Sequence, residues 1–339
     1  MSATIFQLRH AAERRAALRV LALTAASWLG HGSVRAQGSP NAAAPKAGPL
    51  RIGFQKGSIN LVLAKSLGLL EKRFPAGSVS WIEFPAGPQL LEALAVGSID
   101  FGATGDSPPV FAQAAGKDLF YVGAEPPKPD SSALLVRPDS PLKTLADLKG
   151  RRIALQKGSS AHFLLVQAVR RGGLAWGEIQ PVYLAPADAR AAFERGSVDA
   201  WAIWDPYYAA AEIDSPVRVL ATSRGLTNNN SFYLASRGLA GNEAALRELF
   251  AALTEADRYL QTQRKDAAQR FVQFSGLDPA TVQRVLERRP PSPVGPLTAE
   301  LVREQQQVAD AFTQLGLIPK TLQVAEIVWR PGQSLVAQR

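Results

Sequence analysis

The chain has 339 residues, 46% of them hydrophobic and 20% charged, with a formal charge of +9. That composition gives ample length for a packed core and argues against a disordered or membrane-embedded body. No Cys is present and the only Met is Met1, so disulfides, thiolate metal sites, a Cys nucleophile and a lipid-bearing N-terminal Cys are all excluded.

The first segment reads as a secretory leader. Arg9, Arg14, Arg15 and Arg19 precede the apolar run from Val20 to Leu29, which leads to Val34-Arg35-Ala36. The run is too short to span a bilayer, which takes about 20 apolar residues. Cleavage after Ala36 would lower the formal charge from +9 to +5 and leave a chain without sulfur. Economy under sulfur scarcity and compositional drift both account for that omission. Arg14-Arg15 leaves the twin-arginine export route open. Residues 37–49, rich in Gly, Ala and Pro, read as a flexible lead-in, and the fold is expected to begin at Leu50.

The body carries an internal repeat. Arg51-Ile52-Gly53-Phe54-Gln55-Lys56-Gly57-Ser58 is echoed by Arg152-Ile153-Ala154-Leu155-Gln156-Lys157-Gly158-Ser159, and an apolar run follows each. Each copy reads as strand, Gly turn, Ser cap and helix. A second echo comes later: Gly97-Ser98-Ile99-Asp100 leads to Thr104-Gly105-Asp106, and Gly196-Ser197-Val198-Asp199 leads to Ile203-Trp204-Asp205. The offsets are 101 and 99 residues, so order, spacing and identity agree. Two α/β lobes of related design are expected, each with a mostly parallel sheet. Helices are expected from Leu90 to Val96 and from Ala187 to Arg195. The extended segments Ser132 to Val136 and Ser231 to Ala235 flank the second lobe and are read as hinge crossings. The expected division is 50–133 for the first part of lobe I, 134–232 for lobe II, and 233–339 for a helical return to lobe I.

In open α/β sheets ligands bind beyond the carboxyl ends of the strands, where all four repeated segments finish. Helix starts there suit an oxyanion, because they present free N–H donors and a partial positive charge. The candidate ligand-binding residues are Gln55, Lys56, Gly57, Ser58, Thr104, Gly105, Asp106, Gly158, Ser159, Ser160, His162, Trp204 and Asp205. The glycines would allow close backbone approach and the serines would add hydroxyl donors. Asp106 and Asp205 suit an anion site poorly. They would hold their loops through N–H bonds or receive an ammonium or hydroxyl of the ligand. Trp204 could face an organic tail, whereas Trp201 reads as core. No His-Glu-x-x-His, Gly-x-Ser-x-Gly or phosphate-binding loop occurs, and Gly116-Lys117-Asp118 lacks the Ser/Thr such a loop needs. A basic patch interleaved with aromatics is also missing, so nucleic acid is not an expected partner.

These residues resemble the aliphatic sulfonate-binding proteins of bacterial ABC importers, within a wider group that includes taurine- and nitrate-binding proteins. The resemblance rests on Gln55 to Ser58, Trp81 to Gln89, Thr104-Gly105-Asp106, Glu125-Pro126-Pro127-Lys128-Pro129, Pro186 to Phe193, Trp201 to Tyr208 and Arg288-Arg289-Pro290-Pro291. It implies an α/β fold of the two-lobed, type II periplasmic binding-protein kind, with each lobe a helix-flanked sheet and the ligand cleft between. It also implies a monomer that needs no cofactor and has no catalytic activity. Such a protein would capture a small sulfonate anion in the periplasm and pass it to an ABC permease with its ATPase subunits, for use as a sulfur source. Taurine- or nitrate-type binding is the alternative within the same fold, and a hydrolase acting on sulfonates or sulfate esters is a more distant one. Ser107 and His162 depart from the family pattern beside the pocket.

Overall fold

The computed structural model describes residues 49–333, so the leader, most of the lead-in and the last six residues lie outside the described region. The described chain starts with β1 (Leu50–Phe54), α1 (Ile59–Ser66), β2 (Val79–Glu83), α2 (Gly87–Ala95), β3 (Phe101–Gly105), α3 (Ser107–Ala114) and β4 (Phe120–Glu125). It continues through β5 (Ser132–Val136), β6 (Arg152–Leu155), α4 (Ser160–Arg171), β7 (Gln180–Tyr183), α5 (Pro186–Glu194), β8 (Ala200–Trp204), α6 (Tyr207–Asp214) and β9 (Arg218–Thr222). The return consists of β10 (Ser231–Ala235), α7 (Arg237–Ala240), α8 (Glu243–Thr262), α9 (Arg264–Ser275), α10 (Pro279–Arg288) and α11 (Ala299–Gln314).

Two five-stranded sheets form, in the orders β2-β1-β3-β10-β4 and β7-β6-β8-β5-β9. The orders match strand for strand: β1, β2 and β3 correspond to β6, β7 and β8, and each sheet takes one antiparallel strand, β10 or β5. The repeat explains its own polar residues. Asp100 accepts from the Arg51 amide at 2.9 Å, and Asp199 accepts from the Arg152 amide at 2.8 Å. Each aspartate thus ties the start of one parallel strand to the turn before its neighbour, which fixes register well away from the cleft.

β5 pairs wholly within the second sheet and β10 wholly within the first, so the two are sheet strands. The crossings run just ahead of them, at 126–131 and 223–230. The crossings bond to each other, Lys128 N–H to the Asn228 carbonyl at 3.0 Å and the Asn229 side-chain Nδ2 to the Lys128 carbonyl at 2.9 Å.

Apolar residues alternate between the faces of each sheet, as the strand period requires. On β5, Leu134 and Val136 pack with α4, while Ala133 and Leu135 pack with Phe193 and Trp201. Trp201 is fully buried, as its reading as core expects. Helices α8 to α10 bury Leu246, Leu249, Leu253, Phe271 and Val282 against α1 and β1, joining the return segment to the first lobe.

Candidate functional site

At the carboxyl ends of β1, β3, β6 and β8 the lobes meet over a cavity of about 80 Å³. That is far below the roughly 300–1,000 Å³ of drug-sized sites. A small head group is the natural occupant. Of the residues expected from sequence, Gln55, Gly57, Ser58, Thr104, Gly105, Ser159, Ser160, Trp204 and Asp205 line it. Ser58 and Ser159 stand at the starts of α1 and α4, yet neither side chain caps its own helix. Ser159 Oγ donates instead to the Gln156 carbonyl at 2.7 Å.

Four expected residues lie elsewhere. Lys56, in the turn after β1, points away from the cavity. Its Nζ donates to the Ser275 carbonyl at 2.6 Å and lies 4.0 Å from Glu83. Asp106 is buried behind the cavity wall, where its carboxylate accepts from Ser107 Oγ at 2.8 Å and its carbonyl accepts from Gln305. Burial pushes its carboxyl up to about 6 against hydroxyl bonds from Ser107 and Ser160. Gly158 backs onto the Phe111 ring at φ +73°, a conformation that favours glycine. His162 is fully buried among Phe111, Trp176, Tyr183 and Phe312, and its Nδ1 accepts from the Gly158 amide at 3.2 Å. Burial, with Lys157 nearby, pushes its imidazole down to about 3, so it is a neutral packing residue.

Two glycines of these loops, Gly57 and Gly105, serve lobe-to-lobe contact. A methyl on Gly57 would sit 2.7 Å from the Asp205 carbonyl oxygen, and one on Gly105 would sit 1.8 Å from Ser160 Oγ. Each pair joins the two lobes. On the α10 side, Arg288 reaches Asp205 Oδ1 at 3.3 Å, bonds Glu212 and lies 3.7 Å over the Tyr208 ring. At the rim, Tyr207 donates its hydroxyl to the Pro85 carbonyl at 3.1 Å.

The strongest electrostatic feature comes from residues outside the expected set. Lys128, on the first crossing, and Arg289, just after α10, both line the cavity and are both buried. Lys128 Nζ donates to Glu125 at 3.0 Å and to Ser231 Oγ at 2.8 Å, and Arg289 donates to Glu125 at 3.2 Å. Glu125 also accepts from Tyr233 at 2.7 Å and from Asn60 at 3.0 Å. Burial alone would raise the Glu125 carboxyl, but Arg289, Lys128 and these bonds outweigh it and hold the group down at about 2. Burial lowers the Lys128 ammonium, and Glu125 opposes that shift. Two cations thus share one carboxylate, leaving one positive charge in excess at the cavity wall. Arg289 Nε is buried without a partner among the described residues. Such a wall draws an anion, because a buried charge without a counter-charge is costly. The lining also has apolar members, Ile59, Pro108, Trp204 and Val285. No group of side chains suited to holding a metal occurs among the described residues.

The sequence family described as ABC transporter, phosphonate, periplasmic substrate-binding protein matches residues 84–285. A putative aliphatic sulfonates-binding protein of Escherichia coli K12 is 52% identical over 302 residues, spanning 89% of this chain and 92% of that one. The solved structure of the alkanesulfonate-binding protein of Xanthomonas axonopodis pv. citri, bound to MOPS, is 51% identical with a TM-score of 0.81, and the match covers 85% of this chain and all of that one. The taurine-binding periplasmic protein of E. coli K12 is 32% identical over 145 residues, 41% of this chain and 43% of that one. On sequence and on fold alike, the chain belongs to the aliphatic sulfonate-binding family of ABC-transporter periplasmic substrate-binding proteins.

Proposed function

We propose that this chain captures aliphatic sulfonates in the periplasm and delivers them to an ABC permease with its ATPase subunits, as a source of sulfur. The observation that carries the reading is the buried Lys128–Glu125–Arg289 cluster, whose excess positive charge lies on a small cavity that apolar residues also line. A sulfonate stays ionised at every physiological pH, so the cations and neutral hydroxyls of the cavity suffice to hold it. The apolar lining residues suit an organic tail better than they suit nitrate. MOPS, found in the Xanthomonas relative, is itself a propanesulfonate. Export with leader removal at Ala36 and action as a monomer without catalysis complete the reading.

A thermal-shift panel of alkanesulfonates, taurine, sulfate and nitrate tests it. Ligand at about 100 times Kd adds roughly 2.7 kcal/mol, which for a protein of this size raises Tm by roughly 4 °C. Alkanesulfonates are expected to give that rise, and a shift with nitrate alone would overturn the substrate class. Product release from a sulfonate or sulfate ester would overturn the pure binding reading.

Gly57→Ala probes closure. The added methyl meets Asp205 only when the lobes are together, so the expected effect is on affinity. Overpacking of this kind costs about 1–3 kcal/mol, a loss of roughly 5- to 150-fold in Kd. The ligand-free Tm is expected to stay close to wild type. Calorimetry with melting curves separates the two, and a variant with lowered Tm but normal Kd would contradict the closure role.

A further inference from the structure

Asp205 is buried, lines the cavity and has one carboxylate oxygen in use. Oδ1 accepts from the Ala209 amide at 3.0 Å and from Arg288 at 3.3 Å, while Oδ2 has no partner among the described residues. Lys128 and Arg289 bring cations to the lining of this cavity, and Asp205 brings a buried acceptor that no donor among the described residues occupies.

We propose that Asp205 is the specificity-determining residue of this site: Oδ2 accepts a hydrogen bond from an ammonium on the ligand, and takes up a proton when the ligand's tail brings no donor. The inference rests on the sulfonate reading above. It makes the choice between plain and amino-substituted sulfonates depend on pH, with plain alkanesulfonates favoured as pH falls.

The surroundings of the carboxylate support this. Arg288, from α10, favours the charged form. Glu212 on α6, itself paired with Arg284 and Arg288, disfavours it. Tyr208 also faces Arg288, and its hydroxyl is held in the neutral form by burial. Lys128 and Arg289 line the same cavity but are engaged by Glu125, and Lys56 is turned away to Ser275. Burial is the largest influence and pushes the Asp205 carboxyl up to about 7 despite Arg288. A sulfonate in the same small cavity adds a like charge and raises it further, whereas an ammonium cancels that effect. Asp106, the other raised carboxyl, lies behind the wall and does not line the cavity.

Calorimetry at about pH 8 in Tris and in bicine, sulfonate-free buffers of different ionisation enthalpy, counts the protons taken up on binding. Wild type is expected to take up about one proton with ethanesulfonate and about none with taurine. The affinity for ethanesulfonate is expected to fall by up to about tenfold per pH unit above pH 7. Asp205→Asn keeps the acceptor for Ala209 and places an amide donor where Oδ2 stands. Its ethanesulfonate affinity is expected to be flat in pH, and its taurine affinity lower than wild type. Equal proton counts for the two ligands in wild type, or uptake that survives in Asp205→Asn, would overturn the role of Asp205. Absence of binding by either ligand would instead overturn the sulfonate reading on which it rests. The wild-type count alone decides the matter if the variant fails to fold.

Discussion

Glu125→Ala is expected to lower the free energy of unfolding by about 3–5 kcal/mol, the range for removing one member of a buried charge cluster. The substitution leaves Lys128 and Arg289 buried in the same wall without a carboxylate, and strips Tyr233 and Asn60 of their acceptor. Denaturant melts of the ligand-free protein measure the loss. The pH dependence has a definite sign. Glu125 is held at about 2, below its ordinary value of 4.5, so its contribution is present above 4.5 and is lost as pH falls through about 2. The gap between variant and wild type should therefore close only in strong acid. A gap under about 1 kcal/mol at neutral pH would mean that the cluster is well solvated, and would remove the reason for assigning it an anion.

The second large effect belongs to Arg289. Arg289→Ala keeps the Lys128–Glu125 pair but removes the excess positive charge from the cavity, so most of its effect should fall on binding. Truncating a desolvated charge that faces an opposite charge typically costs about 2–5 kcal/mol, a weakening of roughly 30- to several-thousand-fold for an alkanesulfonate. Arg289→Lys restores the charge without the planar fork and is expected to fall between the two. Calorimetry with ethanesulfonate reads both variants, and wild-type affinity in Arg289→Ala would separate the cluster from the ligand.

The architecture was legible because each lobe is written out locally. The Arg51 and Arg152 strands, their Gly turns and the aspartates at 100 and 199 recur at nearly constant offsets, and the two sheets have the same strand order. The site was only half legible. Residue type near a turn does not fix side-chain direction, so Gln55 and Ser58 face the cavity while Lys56, between them, does not. The echo also ends unevenly: Asp205 lines the cavity, whereas Asp106 folds back against Ser107. Lys128 and Arg289 went unread because each gains its role from a meeting with Glu125. Arg289 stands 164 residues from that partner, and only the packing of the return helices onto the first lobe brings them together. The signal available was their setting in Glu125-Pro126-Pro127-Lys128-Pro129 and Arg288-Arg289-Pro290-Pro291. A cation framed by prolines sits on backbone with few N–H donors and restricted dihedrals.

Gly57 and Gly105 gain a sharper meaning from the structure. They admit the opposite lobe, Gly57 toward Asp205 and Gly105 toward Ser160, so the same loops that present serines to a ligand also bring the lobes together. The cavity lining and the contacts between the lobes therefore share residues.

The most direct test of the account is a calorimetric titration of wild-type protein with ethanesulfonate, followed by nitrate as competitor, in a buffer free of sulfonates. A single-site isotherm for ethanesulfonate that excess nitrate leaves unchanged is the predicted result. Saturable heat from nitrate with none from ethanesulfonate would contradict it.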